Sequence, residues 1–347
     1  MKAKTLCCGA LALGFLLSGC NPKEVHFDSD KIYFFRLETD LYLHVGDEAV
    51  LQPSDEPEGR HNTWLSEDES VATVDWQGRV TARSVGETLV TVVNDYPYQD
   101  LSGLVYIHVV PDEVYVFRNS CLRMVDVEGG TFTMGREGYS VNPAREVTVG
   151  DFRIADQEVT EALWTAVMEG RYIALEQSVH HAQTGTYDQF ASFLERLREQ
   201  TGLPFRFPTE AEWEWAARGG KYSHGYPYAG SENLDGCGWY KDNWPGDHTL
   251  YHNNSVMHPL AALAPNELGL YDMSGGASEW VSDPFPDIQV DGKDLDILVG
   301  TYEHFVPGAP FTKGGSVLSP AAWCRVWARE CAPHELAPGP RGLRLAL

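Results

Sequence analysis

Positive charge is scarce: 26 Lys and Arg stand against 50 Asp and Glu, a net charge of −24 over 347 residues. No basic cluster offsets this locally, so phosphate backbones and anionic lipid headgroups are repelled and nucleic acid is excluded as a partner. A membrane-spanning run is missing too, because the N-terminal apolar stretch Leu6–Leu17 is too short to cross a bilayer as a helix. There is no GxSxG elbow, P-loop, dinucleotide fingerprint, HExxH or HxH array, and the adjacent His180 and His181 point apart in any regular structure. What is present is 43% hydrophobic and 12% aromatic residues, enough for buried cores in two domains. The carboxylate surplus favours solubility and leaves oxygens for divalent cations without specifying a site.

Lys2 and Lys4 precede the apolar run, which ends in Leu17-Ser18-Gly19-Cys20. This ending resembles a bacterial lipobox, which implies a signal peptide over 1–19, a diacylated Cys20 as the mature N-terminus and an outer-membrane lipoprotein on the periplasmic or cell-surface face. Several acyl chains on one terminus give stable anchoring to a membrane. The polar stretch 20–30 reads as a tether. Of the seven cysteines, Cys121, Cys237, Cys324 and Cys331 remain for an oxidising compartment. They allow two disulfides, with Cys237 joined to one of the C-terminal pair as one arrangement and free buried thiols as the other.

From residue 31 to 111 apolar residues alternate in short runs split by turn residues, as in Leu41-Tyr42-Leu43-His44-Val45 and Leu89-Val90-Thr91-Val92. That pattern predicts an all-β sandwich. The segment resembles the bacterial Ig-like group 2 domain, with Trp64 as the core tryptophan and Gly78 and Gly86 at tight turns. The resemblance implies a spacer or adhesive module. Residues 112–120 read as a linker that keeps strand character at Val114-Tyr115-Val116-Phe117, so packing between the domains is open.

The stretch Phe205–Gly220, FRFPTEAEWEWAARGG, organises the rest. Thr209 and Glu212 form the reciprocal pattern of a capping box, Trp213, Ala216 and Ala217 share one face, Glu214 and Arg218 pair across an exposed turn, and Gly219-Gly220 ends the helix. A second helix is predicted over Tyr187–Gln200, with Phe190, Phe193, Leu194 and Leu197 on one stripe. Thr160 caps a third that carries Leu163 and Val167 inward. Together with Gly130–Gly135 (GTFTMG), Pro265–Trp280 (PNELGLYDMSGGASEW) and Gly314–Leu345, the stretch resembles the formylglycine-generating enzyme family, or sulfatase-modifying factors, over 121–347. The implied architecture is multidomain: an Ig-like sandwich followed by an α+β, loop-rich domain related in fold to C-type lectins.

Oxidase members of that family hold copper(I) between two thiolates. Here the later position is Cys324 but the earlier is Ser319, a hard neutral ligand, so copper is not expected. The central loop is similar to a calcium site of the family, which would place ligands at Asp272, Gly275, Ala277 and Glu279. The other reading of the same residues is a glycine-rich turn with Glu279 paired to Arg325 or Arg344. The aromatic loop residues Trp239, Tyr240, Trp244, Tyr251 and His252 are either a ligand surface or pins that hold loops to the core. The leading expectation is a non-catalytic binding or scaffold module for a protein or glycan. The alternative is a copper- and oxygen-dependent oxidase that makes formylglycine from sulfatase cysteines.

Overall fold

The structure, a computed structural model, describes residues 31–34, 39–53, 62–94, 101–117, 120–139, 141–170, 181–245, 259–286, 308–331 and 340–347. The N-terminal eight strands are β1 (Lys31–Phe34), β2 (Thr39–His44), β3 (Glu48–Pro53), β4 (Asn62–Ser66), β5 (Ala72–Val74), β6 (Arg79–Ala82), β7 (Gly86–Asn94) and β8 (Leu101–Val110). They form two four-stranded sheets, β1-β3-β6-β5 and β2-β8-β7-β4, with parallel pairs at β1/β3 and β2/β8. Alternation sets the inner faces: along β7, Thr88, Val90 and Val92 are buried between more exposed neighbours. Leu51, Val80, Val90, Val105 and Ile107 fill the space between the sheets, each contributing roughly 1.5–3 kcal/mol of burial. Trp64 packs on this cluster from a half-buried position, beneath the turn before β6. Gly78 makes that turn at φ +76°, and a Cβ there would lie 2.4 Å from the Leu51 carbonyl oxygen and 2.7 Å from the Trp64 ring.

The stretch 112–120 is not a linker. Its centre is β9 (Val114–Phe117), which pairs antiparallel with β10 (Ser120–Val127) and so belongs to the second domain's first sheet, β13-β10-β9, where β13 is Phe152–Ala155. Buried Val114 and the hydrogen-bonding capacity of a four-residue extended run explain the difference. The domains pack together here: the His44 Nε2 lies 2.8 Å from the Val114 carbonyl oxygen.

A hairpin of β11 (Gly130–Met134) and β12 (Arg145–Val149) follows β10. The helices are α1 (Glu161–Met168), α2 (Tyr187–Thr201) and α3 (Glu210–Ala217); both expected caps are made, Thr160 accepting from Leu163 N and Thr209 sitting in a capping box, and Thr186 forms a further box at the start of α2. The stripe Phe190, Phe193, Leu194 and Leu197 is buried, with Trp164 of α1 stacked on Phe193 at 5.2 Å. A last sheet runs β16-β15-β14-β17, from Glu330–Cys331, Pro310–Lys313, Ser278–Pro284 and Arg341–Gly342. Residues 342–347 then thread between β13 and Arg206: Ala155 N donates to Leu345 O, and Arg206 N and Ala346 O bond at 2.9 Å. Among the described residues no helix is long and apolar enough to cross a membrane.

Candidate functional site

Helix α3 positions the centre of the second domain. The Thr209 hydroxyl accepts from Glu212 N at 3.2 Å, Glu212 accepts from Thr209 N at 2.8 Å, and Arg206 clamps the same carboxylate through two 2.7 Å bonds. Beyond the cap the helix is not amphipathic in the expected sense, because its polar face is buried as well. Glu214 is fully buried rather than on an exposed turn, and besides Arg218 it accepts from Gly135 N, Asn142 and Lys313 Nζ, the last at 3.0 Å. Glu210 takes a two-pronged contact from Arg329, both bonds at 2.6 Å. Burial pushes the Glu214 carboxyl up, but Lys313 and Arg218 together outweigh it and hold the group below the usual carboxylate range. The physical reason for the correction is distant cations: Lys313 and Arg329 arrive from the last sheet and the segment before β16.

The turn after Lys313 is the position where oxidases of the resembled family carry their thiolates. Gly275 N donates to Gly314 O, Val317 N to Gly276 O and Gly276 N to Trp239 O, so this turn, the central loop and Trp239 form one stitched unit. Ser319 is buried within it. Its hydroxyl accepts from Ser316 N at 2.9 Å and lies 3.1 Å from the Ser316 hydroxyl, which makes it a brace of the local turn. Cys324 is fully buried, its thiol directed at the Pro320 carbonyl oxygen 3.8 Å away, and burial pushes that thiol far up. Ser319 and Cys324 do not fit a copper(I) site, because neither group is an anionic donor at neutral pH.

Cys237 packs in the same cluster as Cys324, beside Leu234, and burial raises its thiol to about 12. Cys121, Cys237 and Cys324 are free, so the Cys237–Cys324 pairing is not formed; the side chain of Cys331 lies outside the described residues. Apolar surroundings that suppress the thiolate leave both as packing groups.

The central loop brings two of the four resembled calcium positions, Asp272 and Glu279, toward Glu158 and Arg344, but in another role. Glu279 accepts from Trp213 Nε1 at 2.6 Å and from Arg344 through three contacts of 2.7–3.1 Å. Asp272, at φ +55°, accepts from Ala261 N at 2.7 Å. Glu158 stands 3.7 Å from Arg344, and burial, then Asp272 and Glu279, push its carboxyl well above its ordinary range. With both Glu279 oxygens engaged by fixed donors, Asp272, Gly275, Ala277 and Glu279 do not fit a calcium ion, and among the described residues no group of three or more His, Cys, Asp and Glu is placed to hold a metal. Of the two sequence readings of Glu279, the arginine pair is the one formed, with Arg344.

Three of the aromatic loop residues reach this unit. Trp239 and Trp244 meet edge to face at 6.1 Å, the Tyr240 hydroxyl donates to Asp235 at 2.8 Å, and Lys241 N donates to Ser319 O. All three rings are half-buried, so they pin the loop and keep one side toward solvent. Tyr251 and His252 lie outside the described residues, as does Cys20. Sequence reasoning missed Glu210, Lys313, Arg329 and Glu158. Local spacing puts Glu214 on an exposed turn, and the cations that bury it and Glu210 lie 99 and 119 residues further on, beyond any local signal.

Residues 114–347 match the sulfatase-modifying factor enzyme 1-like domain. The chain belongs to this family. Residues 38–102 match the bacterial Ig-like domain (group 2). The sulfatase-modifying factor domain is similar to the chaperone protein LppX of Paenibacillus barcinonensis, 30% identical over 45% of this chain and 70% of the relative. It is also similar to a formylglycine-generating enzyme of Thermomonospora curvata, 29% identical over 56% of this chain and 67% of that protein. A third relative is the inactive C-alpha-formylglycine-generating enzyme 2 of Mus musculus, 29% identical over 51% of this chain and 73% of that one. In fold it is similar to the Treponema denticola variable protein 1, with a TM-score of 0.53 at 22% identity, covering 67% of this chain and 97% of that structure.

Proposed function

We propose that this protein is a lipid-anchored binding or scaffold module of the bacterial envelope, held in the outer membrane through Cys20, whose sulfatase-modifying factor domain recognises a protein or glycan without catalysing oxidation. The carrying observation is Ser319: its hydroxyl braces the Ser316 turn where an oxidase of the family needs a thiolate. The partner position supports the same reading, since Cys324 is a buried neutral thiol. Relatives named as a chaperone and as an inactive enzyme are consistent with a domain retained for binding. The half-buried Trp239, Tyr240 and Trp244 beside this turn are the proposed ligand-facing rings, with one apolar side wet and the other anchored. The test is incubation of the full chain with copper(I), oxygen and a sulfatase-type cysteine peptide, with loss of thiol and gain of aldehyde followed by mass spectrometry. No conversion by the wild type is expected; robust turnover refutes the reading in favour of the oxidase.

A further inference from the structure

A cleft of about 840 Å³ opens between the end of β10, the start of β13 and the turn Gly220–Tyr222 that follows α3. Among the described residues, neither Ser319 nor Cys324 nor Trp239, Tyr240 or Trp244 lines it. Its walls are fixed by backbone. Gly219 turns at φ +90°, where a Cβ would fall 2.5 Å from the Glu267 carboxylate, and the opposite wall is tied down by Trp215 Nε1 donating to Glu128 O at 3.0 Å. The double glycine that ends the signature helix thus projects Lys221 and Tyr222 over a preformed groove, and Tyr222 keeps 57% of its surface exposed.

We infer that this cleft binds a neutral oligosaccharide. The lining is mainly apolar, with Val127, Phe152 and Leu268, and carries hydrogen-bonding side chains nearly balanced in charge: Asp126, Glu128 and Asp151 against Arg153 and Lys221. Much of that charge is already matched internally. Glu128 pairs with Lys221, Asp151 commits one oxygen to Gly129 N at 2.8 Å, and Arg153 donates to the Tyr115 hydroxyl at 3.0 Å. A carboxylate accepts through about four lone-pair positions and a guanidinium offers five N–H donors, so each keeps capacity for a ligand. An anionic ligand would meet three carboxylates. A strongly cationic one would find most of the field cancelled by Arg153 and Lys221. Many hydroxyls that both donate and accept, carried on a ring with an apolar C–H face, match this lining and the exposed Tyr222 ring, over which Lys221 Nζ sits 5.3 Å from the centroid. The volume lies within the range of about 300–1,000 Å³ typical of small-ligand sites, which suits a short oligosaccharide.

The experiment titrates the full chain with malto-, cello-, xylo- and chito-oligosaccharides of about four to six residues, by saturation-transfer NMR and calorimetry, a length set by the cleft volume. At least one series binds, with a Kd that changes less than about twofold on raising salt, because the ligand is uncharged. Tyr222→Ala weakens it by at least about tenfold, the loss of an aromatic anchor, and Asp126→Asn weakens it measurably. Both variants keep the wild-type melting temperature, since both side chains are solvent-facing. Three outcomes overturn the inference: no sugar in the panel binds, binding survives Tyr222→Ala unchanged, or an oligolysine peptide binds more tightly than every sugar and is released by salt. None of these touches the non-catalytic reading of Ser319, which stands or falls on peptide turnover alone.

Discussion

Lys313→Met removes the buried ammonium that bonds Glu214 at 3.0 Å and stands 3.6 Å from Glu210, while keeping the length and volume of the side chain. Lys313 and Glu214 are both fully buried, so water cannot replace the lost partner. Deleting one member of a buried pair costs about 3–5 kcal/mol, and the low end applies because Arg218, Asn142 and Gly135 N still hold Glu214. Urea unfolding at pH 7, followed through the tryptophans of the second domain, should therefore show a loss of about 3 kcal/mol. The pH dependence fixes the cause. Glu214 has a folded pKa below its unfolded value, so its contribution is present above the unfolded carboxylate pKa and is lost as pH falls through the folded one. The variant's deficit should accordingly be largest near neutrality and shrink in acid. Adding Glu214→Gln to Lys313→Met should recover part of the loss, because the orphaned charge disappears. A deficit below about 1 kcal/mol at pH 7, or one that grows in acid, refutes the reasoning.

Gly78→Ala places a methyl 2.4 Å from the Leu51 carbonyl at φ +76° and should destabilise the Ig-like domain by about 1–3 kcal/mol, read as its own thermal transition. Glu279→Gln weakens the hold on Arg344 and should lower the melting temperature of the second domain, whereas EDTA or added calcium should leave the wild-type value unchanged, since the Glu279 oxygens are already taken. Intact mass of the mature N-terminus should show a diacylated Cys20, and Cys20→Ser should release the protein from membranes.

Much of the local architecture could be read from sequence because it rests on neighbours. The Thr209–Glu212 box, the Thr160 cap and the α2 stripe each involve residues within one or two turns of each other. The Ig-like strands were equally legible from alternation alone. Polarity over longer range was not. Glu214 sits on what reads as a solvent face, and its burial depends on Lys313, 99 residues away, just as that of Glu210 depends on Arg329 at a separation of 119. Periodicity reports which side of a helix is apolar, not whether a cation will later cover the other. The same limit applied to the central loop, where the family resemblance implies oxygen ligands at Asp272 and Glu279 but Arg344 supplies the charge. The stretch 112–120 misled for a different reason: a strand of four residues with a short connection resembles a linker until its pairing partner is known.

The buried charges of the second domain are strictly ordered along the chain. Glu158, Glu210, Glu214 and Glu279 all precede Lys313, Arg329 and Arg344, so every acid leaves the ribosome before these bases that neutralise it. A chain ending before Lys313 has Arg218 for Glu214 and Arg145 for Glu210 but lacks Lys313, Arg329 and Arg344, so its buried carboxylates are only partly compensated. The residues that complete the core come last in the chain: Arg344 and the flanking Leu343 and Leu345 sit between β13 and Arg206. In the exported lipoprotein proposed above, that order would leave the second domain's charge pairs incomplete until its last residues are made.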